Sequence, residues 1–548
     1  MDLLFNKHVR RELEERQPPP LPKRRRWQVA IRSAMARLER QPWFLPGATG
    51  AFLLATLEIL CSSLSLPLGS LSAFGVLLLE LFLLGALAIY VAALQPKEAR
   101  RPRSLVLLGL ILLVVLLLTR YGLAVNGALH DRFPDIPVSA LRAALPIPLG
   151  AVLLTILFNA RLAFAGSLAL AILTSLMVDA PLGYFLYAFV GSLVGVFAMA
   201  RVEGRTAFLR AGGLVALANV YTLAALALLQ GAPQTLKADI VGGLINGVMV
   251  GVLAAGLLPL LEHPFERTTV FTLLELSNLN EPILRHLMLT APGTYHHSMT
   301  VGTLAEAAAD AIGANGLLCR VGAYYHDIGK IRHAMYFIEN QPDAAKRHDK
   351  LAPSLSRAIV MSHVKEGIEL AREAGLPEVI VDLIPQHHGT RLVSYFYQRA
   401  KEAAQPGLQA VSEEDYRYAG PKPQTREAAI LMLADAVEAT TRALTEPTPA
   451  RLRGSVQKSI NAIFVEGQLD ECDLTLRDLH LIANSFVRIL TGIFHHRIEY
   501  PEAGDGRKRG QNGDHSARPA AEGPHRDGAP KKSGAKNPDG AETADGGL

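Results

Sequence analysis

Eight apolar runs in the first half of the chain constrain its fold more than any other feature of the sequence. Each run is about 20 residues long and carries few or no charges, which is the length that an α-helix needs to cross a bilayer. Of the 548 residues, 50% are hydrophobic, and the mean hydropathy of +0.22 is unusual for a soluble protein. The predicted spans are 44–66, 71–94, 104–124, 138–158, 162–178, 181–200, 207–230 and 239–261.

Basic residues mark one side of this predicted membrane domain. Arg24, Arg25 and Arg26 precede the first span, and basic residues also follow the second, fourth and sixth spans, whereas the opposite loops contain few. Because basic loops stay on the cytoplasmic side, the amino terminus is predicted to be cytoplasmic. An even number of spans returns the chain there at Glu262, so we expect a multi-pass protein of the cell membrane with both termini in the cytoplasm. If 44–94 forms a re-entrant hairpin, the number of spans falls by two and the sidedness is unchanged.

The composition divides the chain into five regions. The first is too long and too charged before its first apolar run for a cleaved signal peptide, so we interpret it as a cytosolic leader. The last is rich in Gly, Ala, Pro, Asp, Lys and Arg with almost no large apolar residue, which predicts disorder. The predicted regions are a basic leader 1–43, a membrane domain of about eight helices 44–262, a linker helix 263–285, a soluble domain 286–500 and a disordered tail 501–548.

The soluble region has the periodicity of helices. Apolar residues recur with helical spacing and no alternation typical of strands is found, so the fold class is predicted to be all-α. The three cysteines of the chain are scattered without a CxxC spacing, which argues against a disulfide framework or a thiolate zinc site. The predicted helices of this region are 295–313, 315–328, 353–374, 376–387, 424–445, 451–467 and 475–497.

Histidines and carboxylates of the soluble region lie in short, well-defined sequence words. Taken singly, each has an ordinary alternative, such as a packed histidine or an aspartate that pairs with an arginine. Taken together, they offer nitrogen and carboxylate ligands, a set suited to Fe, Mn or Zn and not to Ca or Mg alone. The words are GTYHHSMTVG (His296, His297), YYHDIGK (His326, Asp327), VMSHVKEG (His363), IPQHHGT (His387, His388) and MLADAVEA (Asp435).

The order of these residues, H…HD…H…HH…D, resembles that of the HD-domain metal-dependent phosphohydrolases. Longer words, among them GAYYHDIGK, YFIENQ, GPKPQTREAAI and QLDECDLTLRDL, are similar to the cytosolic domain of the seven-transmembrane-receptor HD family, the PgpH-type cyclic di-AMP phosphodiesterases. The resemblance covers about 263–500 strongly, and the membrane region by hydropathy and order. It implies a polytopic transmembrane helix bundle followed by a cytosolic all-α HD domain.

The resemblance also implies a centre for two divalent metal ions, with Mn or Fe expected. The ligands implied for one ion are His297, His326, Asp327 and Asp435. The ligands implied for the other are His363, His387 and His388, with Asp327 bridging. Two ions about 3.5–4 Å apart can clamp a phosphodiester and activate a shared water, and a bridging carboxylate sets such a distance.

Further residues are candidates for catalysis or substrate binding. His326, Asp327 and Lys330 are the expected catalytic residues. Lys330 and Arg391 carry cations suited to a phosphate, and Tyr295 carries a ring that could stack on adenine. Each of the three has an alternative: a solvated cation for the lysine and the arginine, and core packing for the tyrosine.

The implied function is that of a membrane-anchored phosphodiesterase that hydrolyses cyclic di-AMP to linear pApA with a water activated by two ions. A cyclic di-GMP enzyme would need a Gly-Tyr-Pro motif where this chain has HHGTRLVSYFY. A phosphohydrolase of ppGpp or a dNTP shares the metal chemistry and stays open. A non-catalytic nucleotide-binding receptor is disfavoured, because such a protein should have lost metal ligands and all the implied positions are filled.

One departure from the family concerns the start of the membrane region. Family members usually carry a large extracytoplasmic ligand-sensing domain between a first span and a seven-helix bundle, and here only SLPLGS, residues 65–70, stands in that place. The resemblance therefore implies the catalysis, but not the sensing that belongs to the missing domain. The expected partners are the cyclic dinucleotide and the lipid bilayer, with no nucleic acid polymer, and a homodimer is left open.

Overall fold

The computed structural model describes residues 34–494, except for 36, 179–180, 201, 203, 205, 232, 342–343 and 405–410. The predicted tail, and the predicted leader before residue 34, lie outside the described residues. Within them the chain is helical, and the single β-bridge that they form joins Leu392 to Arg417. The predicted all-α class is confirmed.

Between residues 44 and 262, apart from the gaps given above, the structure has ten α-helices, and eight segments there are long and apolar enough to cross a membrane. Every predicted apolar run coincides with one of these segments within a few residues, except that the third and the eighth are longer than predicted. The helices are α1 Phe44–Ser63, α2 Leu71–Leu94, α3 Pro96–Ala99, α4 Pro102–Arg132, α5 Val138–Ala143, α6 Pro148–Leu157, α7 Ala160–Met177, α8 Pro181–Met199, α9 Ala207–Gln230 and α10 Leu236–Glu262.

The fourth apolar segment is two helices, α5 and α6. Pro146 lies between them, and Pro148 is the first residue of α6. Proline has no backbone N–H and restricts the residue before it, so a helix cannot continue through this pair without a break. The break keeps α5 at one end of the bundle, where it packs against α10.

Glycines allow α9 and α10 to pack closely. A Cβ on Gly212 would lie 2.6 Å from the carbonyl oxygen of Gly247, and a Cβ on Gly251 would lie 2.9 Å from the carbonyl oxygen of Phe208. Both separations are shorter than side-chain contacts allow, so these positions require glycine. Small residues of this kind let membrane helices associate through backbone contact and dispersion forces.

The second half, from Val270 to Ile493, is a helical domain that we call the C-terminal domain. Seven of its helices match the predicted ones within a few residues at each end, and the short helices α11, α12, α15 and α18 were not predicted as separate elements. The helices are α11 Val270–Leu276, α12 Pro282–Thr290, α13 Pro292–Ala311, α14 Gly316–Tyr325, α15 Ala344–Asp349, α16 Pro353–Glu373, α17 Glu378–Gln386, α18 Ser394–Ala403, α19 Arg426–Arg442, α20 Pro449–Val465 and α21 Leu476–Ile493.

The segment 263–285 differs from its prediction as one linker helix. It contains the whole of α11 and the first residues of α12, with a turn between them. The Thr269 side chain accepts a hydrogen bond from the backbone N–H of Thr272 and so begins α11, while Pro282 occupies the first turn of α12. A capping threonine and a first-turn proline both define helix starts, which is why one continuous helix does not form.

The core of the C-terminal domain brings together helices that are far apart in sequence. Helix α13 packs against α14, α19 and α21, and α16 packs against α17 and against a 3₁₀ turn, Ile328–Ile331, that follows α14. The shared core is apolar and fully buried along α19, where the residues from Ala428 to Ala434 are inaccessible to solvent. This arrangement places the helices that carry the predicted metal ligands around the end of α14.

Replacing Gly247 with alanine is expected to destabilise the membrane region, because the new methyl group would collide with the Gly212 carbonyl oxygen and the Ala216 side chain. The measurement is the thermal unfolding midpoint of the purified full chain. The control is Gly213→Ala, on α9, whose Cβ would meet no atom within 4 Å. Alanine is the better helix former, so the control should unfold at the same temperature or slightly higher. Equal midpoints for the two variants would contradict the close packing.

Candidate metal centre

The His-Asp pair of the YYHDIGK word lies where α14 ends. The helix finishes at Tyr325, His326 and Asp327 follow it, and the 3₁₀ turn Ile328–Ile331 comes next. His326 is 0% exposed and Asp327 is 2% exposed. A helix end allows two successive side chains to face one point, which neighbouring positions within a helix cannot do.

The glycine of the same word permits close approach of two backbones. A Cβ on Gly329 would collide with the carbonyl group of His363 and the backbone nitrogen of Gly367, both on α16. The 3₁₀ turn therefore packs directly on α16. This contact brings Asp327 to the side of α16 that carries His363.

Asp327 lies between two groups of histidines. Its Oδ2 atom is 3.2 Å from Nε2 of His326 and 3.7 Å from Nε2 of His297. Its Oδ1 atom is 3.4 Å from Nε2 of His363 and 3.8 Å from Nε2 of His387. Each oxygen of one carboxylate thus faces a different pair of imidazoles.

The ligand atoms form two compact sets that share Asp327. In each set the atoms lie within 4.8 Å of one another; the sets are His297, His326 and Asp327, and Asp327, His363, His387 and His388. Asp435 belongs to neither set but borders the first, with its Oδ1 atom 3.1 Å from Nε2 of His297 and 3.9 Å from Nε2 of His326. The structure therefore brings all seven predicted metal ligands into one buried region, and their role as ligands stays a prediction.

Three of the histidines are fixed in one tautomer by backbone carbonyls. The Nδ1–H groups of His326, His363 and His387 donate to the carbonyl oxygens three residues earlier, at 2.7, 2.5 and 2.5 Å. A carbonyl can only accept, so in the neutral ring the proton resides on Nδ1 and the lone pair on Nε2. All three Nε2 atoms face Asp327, which is the orientation that metal ligation requires.

Several of these atoms are buried without a hydrogen-bond partner. Nε2 of His326, Nε2 of His387 and Oδ1 of Asp327 are inaccessible to solvent and make no hydrogen bond with the described residues. Unsatisfied buried polar atoms are rare in native proteins, and three that face one another need an explanation. A bound cation would satisfy all of them, and imidazole nitrogen with carboxylate oxygen is a donor set for a divalent transition metal.

The pKa values of the second set favour neutral imidazoles. Burial lowers the pKa of His363, and burial together with the neighbouring histidines lowers the pKa of His387 to about 3 and that of His388 well below its usual range. A neutral imidazole is the form that binds a metal, so no proton has to leave these rings at neutral pH.

His297 behaves differently, because two carboxylates hold its proton. Its Nδ1–H donates to Oε2 of Glu438 at 2.6 Å, and its Nε2 is 3.1 Å from Asp435. Although burial alone would lower it, hydrogen bonds to these two acids raise the pKa of His297 to about 10. Without a metal, the site thus holds a proton in the place where a cation would bind.

Lys330 lies at the centre rather than in solvent. Its Nζ atom is 2.7 Å from Oδ2 of Asp327 and 2.8 Å from Oε1 of Glu339, and its ammonium stands over the ring of Phe337 at 5.0 Å. The alternative of a solvated lysine is excluded by these contacts. An ammonium has three donors, so one N–H remains beyond the two that face carboxylates.

The two other candidate substrate residues have their own partners outside the histidine sets. Arg391 follows the His387–His388 pair by a short turn, and its Nε atom is 3.6 Å from Oε2 of Glu466. Tyr295 packs at the edge of the core of the C-terminal domain, and its ring meets His296 edge to face. Neither contact shows a role in substrate binding.

Three residues of the site were missed by sequence reasoning. Glu438 accepts a hydrogen bond from His297, and Glu339 accepts one from Lys330. The ring of Tyr418 stacks on His388 with centroids 4.2 Å apart. Glu438 lies one helical turn after Asp435 in the LADAVEA word, and this spacing could have indicated that it lies near the site. Glu339 lies in the YFIENQ word, and its place in that word could have indicated it as well. Nothing in the sequence near Tyr418 indicates its contact.

Comparison with known families defines the class of protein. Residues 70–269 match the family described as the 7TM receptor with intracellular HD hydrolase, and residues 294–440 match the HD domain. The two matches follow one another in the same order as the membrane helices and the C-terminal domain. The chain therefore combines a multi-pass membrane domain with an HD domain, the two parts that the family's description names.

Individual relatives are similar over both halves. Over 367 residues the chain is 42% identical to the cyclic-di-AMP phosphodiesterase PgpH of Bacillus subtilis (strain 168), which covers 65% of this chain and 51% of that protein. Over 366 residues it is 40% identical to the protein of the same name from Listeria monocytogenes serotype 1/2a (strain 10403S). That match covers 66% of this chain and 50% of that protein. The chain thus spans about half the length of the curated relatives that it matches.

A solved structure is similar to the C-terminal domain. It is the crystal structure of the HD domain of the L. monocytogenes phosphodiesterase PgpH in complex with cyclic-di-AMP, at 49% identity and a TM-score of 0.37. The match covers 40% of this chain and 100% of that one.

Replacing Glu438 with glutamine is expected to weaken metal binding to the first set by roughly 10–100-fold, because the charged acceptor that orients His297 is lost. The measurement is a Mn²⁺ titration of the full chain against a competing chelator. The control is Glu427→Gln on the same helix, a residue that accepts from the backbone N–H of Asn315 instead. If both variants bind as the unchanged chain does, Glu438 does not orient a ligand.

Metal affinity is expected to rise with pH through His297. A metal at its Nε2 must displace the proton that the pKa of about 10 keeps there. Below that pKa the apparent affinity of the first set should increase about tenfold per pH unit. The check is the same titration at pH 7, 8 and 9 in buffers that do not bind metal, and an affinity independent of pH would exclude a protonated His297 in the metal-free site.

Proposed function

We propose that the protein is a membrane-anchored, metal-dependent phosphodiesterase that hydrolyses cyclic di-AMP to linear pApA. The observation that carries this proposal is the position of Asp327 between two sets of histidines, one facing each carboxylate oxygen. A centre of this kind suits two cations that share one ligand, an arrangement used to cleave phosphodiesters. The names of the Bacillus and Listeria relatives supply the substrate.

The residues proposed to bind the two ions fall into the two sets that the distances between their ligand atoms define. His297, His326 and Asp435 would bind the first ion, the histidines of the second set would bind the second, and Asp327 would bridge. Mixed imidazole and carboxylate ligation suits Mn or Fe. When bound, the two ions would supply an activated water for in-line attack on phosphorus and positive charge for the phosphate oxygens.

Within this mechanism, protein side chains position both the ligands and the substrate. Backbone carbonyls hold the rings of His326, His363 and His387 with Nε2 facing inward. Lys330 orients Asp327 through its contact with Oδ2 and offers its remaining N–H to a phosphate oxygen. These two tasks are the proposed catalytic contribution of Lys330. The other proposed catalytic residues are His326 and Asp327.

The remaining substrate contacts are proposed for Arg391 and Tyr295. Arg391 would bind the flanking phosphate after leaving Glu466, a partner that its Nε atom meets only at 3.6 Å. Tyr295 is half-buried one helical position from His296 and two from His297, and would stack on an adenine at the rim of the site.

The proposed orientation places the C-terminal domain and both termini in the cytoplasm, as the distribution of basic loops indicates. The proposed domains are a membrane domain 44–262 and an HD domain 286–500. The proposed partners are the cyclic dinucleotide and the bilayer, with no nucleic acid polymer; a second copy of the chain stays open.

The test is turnover of cyclic di-AMP by the full chain with added Mn²⁺, compared with cyclic di-GMP, ppGpp and a dNTP. Asp327→Ala is expected to abolish turnover and to remove both metal ions, since it removes the ligand shared by the two sets. The control is Asp349→Ala, in the other His-Asp dipeptide of the C-terminal domain, where the aspartate is exposed and pairs with Arg399 at 2.9 Å.

Two results would contradict the proposal. Preferred turnover of ppGpp or a dNTP would show that cyclic di-AMP is not the substrate, although the proposed metal centre would be retained. Full metal content in Asp327→Ala, with a fold like that of the control by circular dichroism, would exclude the centre itself.

A further inference from the structure

A cavity of about 480 Å³ lies within the membrane region, apart from the metal centre. It is lined by α5, the beginning of α8, the end of α9 and the beginning of α10. The polar residues that line it are Ser139, Arg142, Tyr184, Tyr187, Gln230, Thr235 and Asp239.

The cavity lies at the end of the bundle remote from the C-terminal domain. Asp239 is in the first turn of α10, and the C-terminal domain follows the last turn of the same helix at Glu262. A helix of 27 residues is about 40 Å long. The metal centre and the cavity are therefore on opposite sides of the membrane region.

Arg142 places a guanidinium in the lining of this cavity. Its guanidinium forms no ion pair with any carboxylate in the part of the chain that the structure describes, although the side chain is half-buried. Its backbone is held firmly, because the hydroxyl groups of Tyr184 and Tyr187 donate to the carbonyl oxygens of Arg142 and Ala143 at 3.1 and 2.6 Å. A half-buried guanidinium inside a bundle is costly unless an anion accompanies it.

Asp239 does not supply that anion. Its Oδ1 atom accepts a hydrogen bond from the Ser139 hydroxyl at 2.6 Å, and its Oδ2 atom accepts one from the Thr235 hydroxyl at 2.7 Å. These bonds connect α5 to α10 and engage both carboxylate oxygens within the fold, although the negative charge of Asp239 stays in the lining. The group that offers hydrogen-bond donors and a positive charge to a ligand is therefore the Arg142 guanidinium.

We propose that this cavity is a binding site for a small anionic group, a carboxylate or a phosphate, held by the Arg142 guanidinium. The guanidinium presents its N–H groups as a planar fork, which matches both anions with two parallel hydrogen bonds. The side-chain amide of Gln230 lines the same cavity and adds a further donor. The anion comes either from a soluble molecule or from a lipid headgroup, since both carry this chemistry.

Soluble anions are tested with the full chain in nanodiscs of phosphatidylcholine alone. Inorganic phosphate and succinate are titrated by calorimetry at constant ionic strength. We expect one saturable site per chain for at least one of them, with affinity reduced at least about tenfold in Arg142→Gln, since a charged hydrogen bond is lost. The matched control is Arg132→Gln, which removes an exposed arginine at the end of α4 that does not line the cavity.

A lipid source is tested with nanodiscs that contain phosphatidylglycerol as well. Native mass spectrometry then counts the phosphatidylglycerol molecules retained per chain. Retention of one molecule that is lost in Arg142→Gln and kept in Arg132→Gln assigns the site to a headgroup.

Two further variants keep the proposal falsifiable if Arg142→Gln does not fold. Arg142→Lys keeps the positive charge and should keep binding, and Asp239→Asn removes a negative charge from the lining and should strengthen it. The proposal is overturned if neither soluble anion binds and no phosphatidylglycerol is retained. It is equally overturned if binding is the same in Arg142→Gln, or if Asp239→Asn weakens it in a folded chain.

Discussion

The buried carboxylate of Asp327 is the constraint on which the rest of the C-terminal domain depends. One group with 2% exposure faces four imidazoles and one ammonium, and Lys330 offers it a full counter-charge at 2.7 Å. Those five contacts come from helices α13 and α16, from the residues that directly follow α14 and α17, and from the 3₁₀ turn after α14, so the domain has to converge on this one side chain. The glycine at position 329 allows that convergence, because any side chain there would separate the turn from α16.

A second layer of acids completes the site. Glu438 accepts a hydrogen bond from Nδ1 of His297, and Glu339 accepts one from the ammonium of Lys330. Each of these two cationic groups near Asp327 is therefore also paired with a second carboxylate. In a low-dielectric interior such pairs determine which groups are charged, and the second set of histidines, which lacks them, is left neutral. The site thus contains one set that keeps a proton until a cation replaces it and one set already prepared for ligation.

The membrane region follows different rules, because the lipid provides no hydrophobic force between helices. Glycine contacts fix α9 against α10, and hydroxyl and carboxylate bonds fix α5 against the first turn of α10. The result is a bundle whose last helix leads directly into the C-terminal domain. Although the loop at residues 65–70 is short, the remote end of the bundle contains the cavity proposed above to bind an anion.

The sequence alone determined the number and position of the apolar segments, the main helices of the C-terminal domain and the identity of the residues around Asp327, because helix period, span length and short words are local properties. It did not determine that Oδ1 and Oδ2 of Asp327 face different sets, that Lys330 is paired with Glu339, that 263–285 is not one helix, or that Tyr418 stacks on His388. It also gave no sign that Arg142 lacks a partner. These features join residues up to 141 positions apart, as for His297 and Glu438. Only the packing of helices can bring such residues within 3 Å, since sequence spacing carries no information about distances between separate elements.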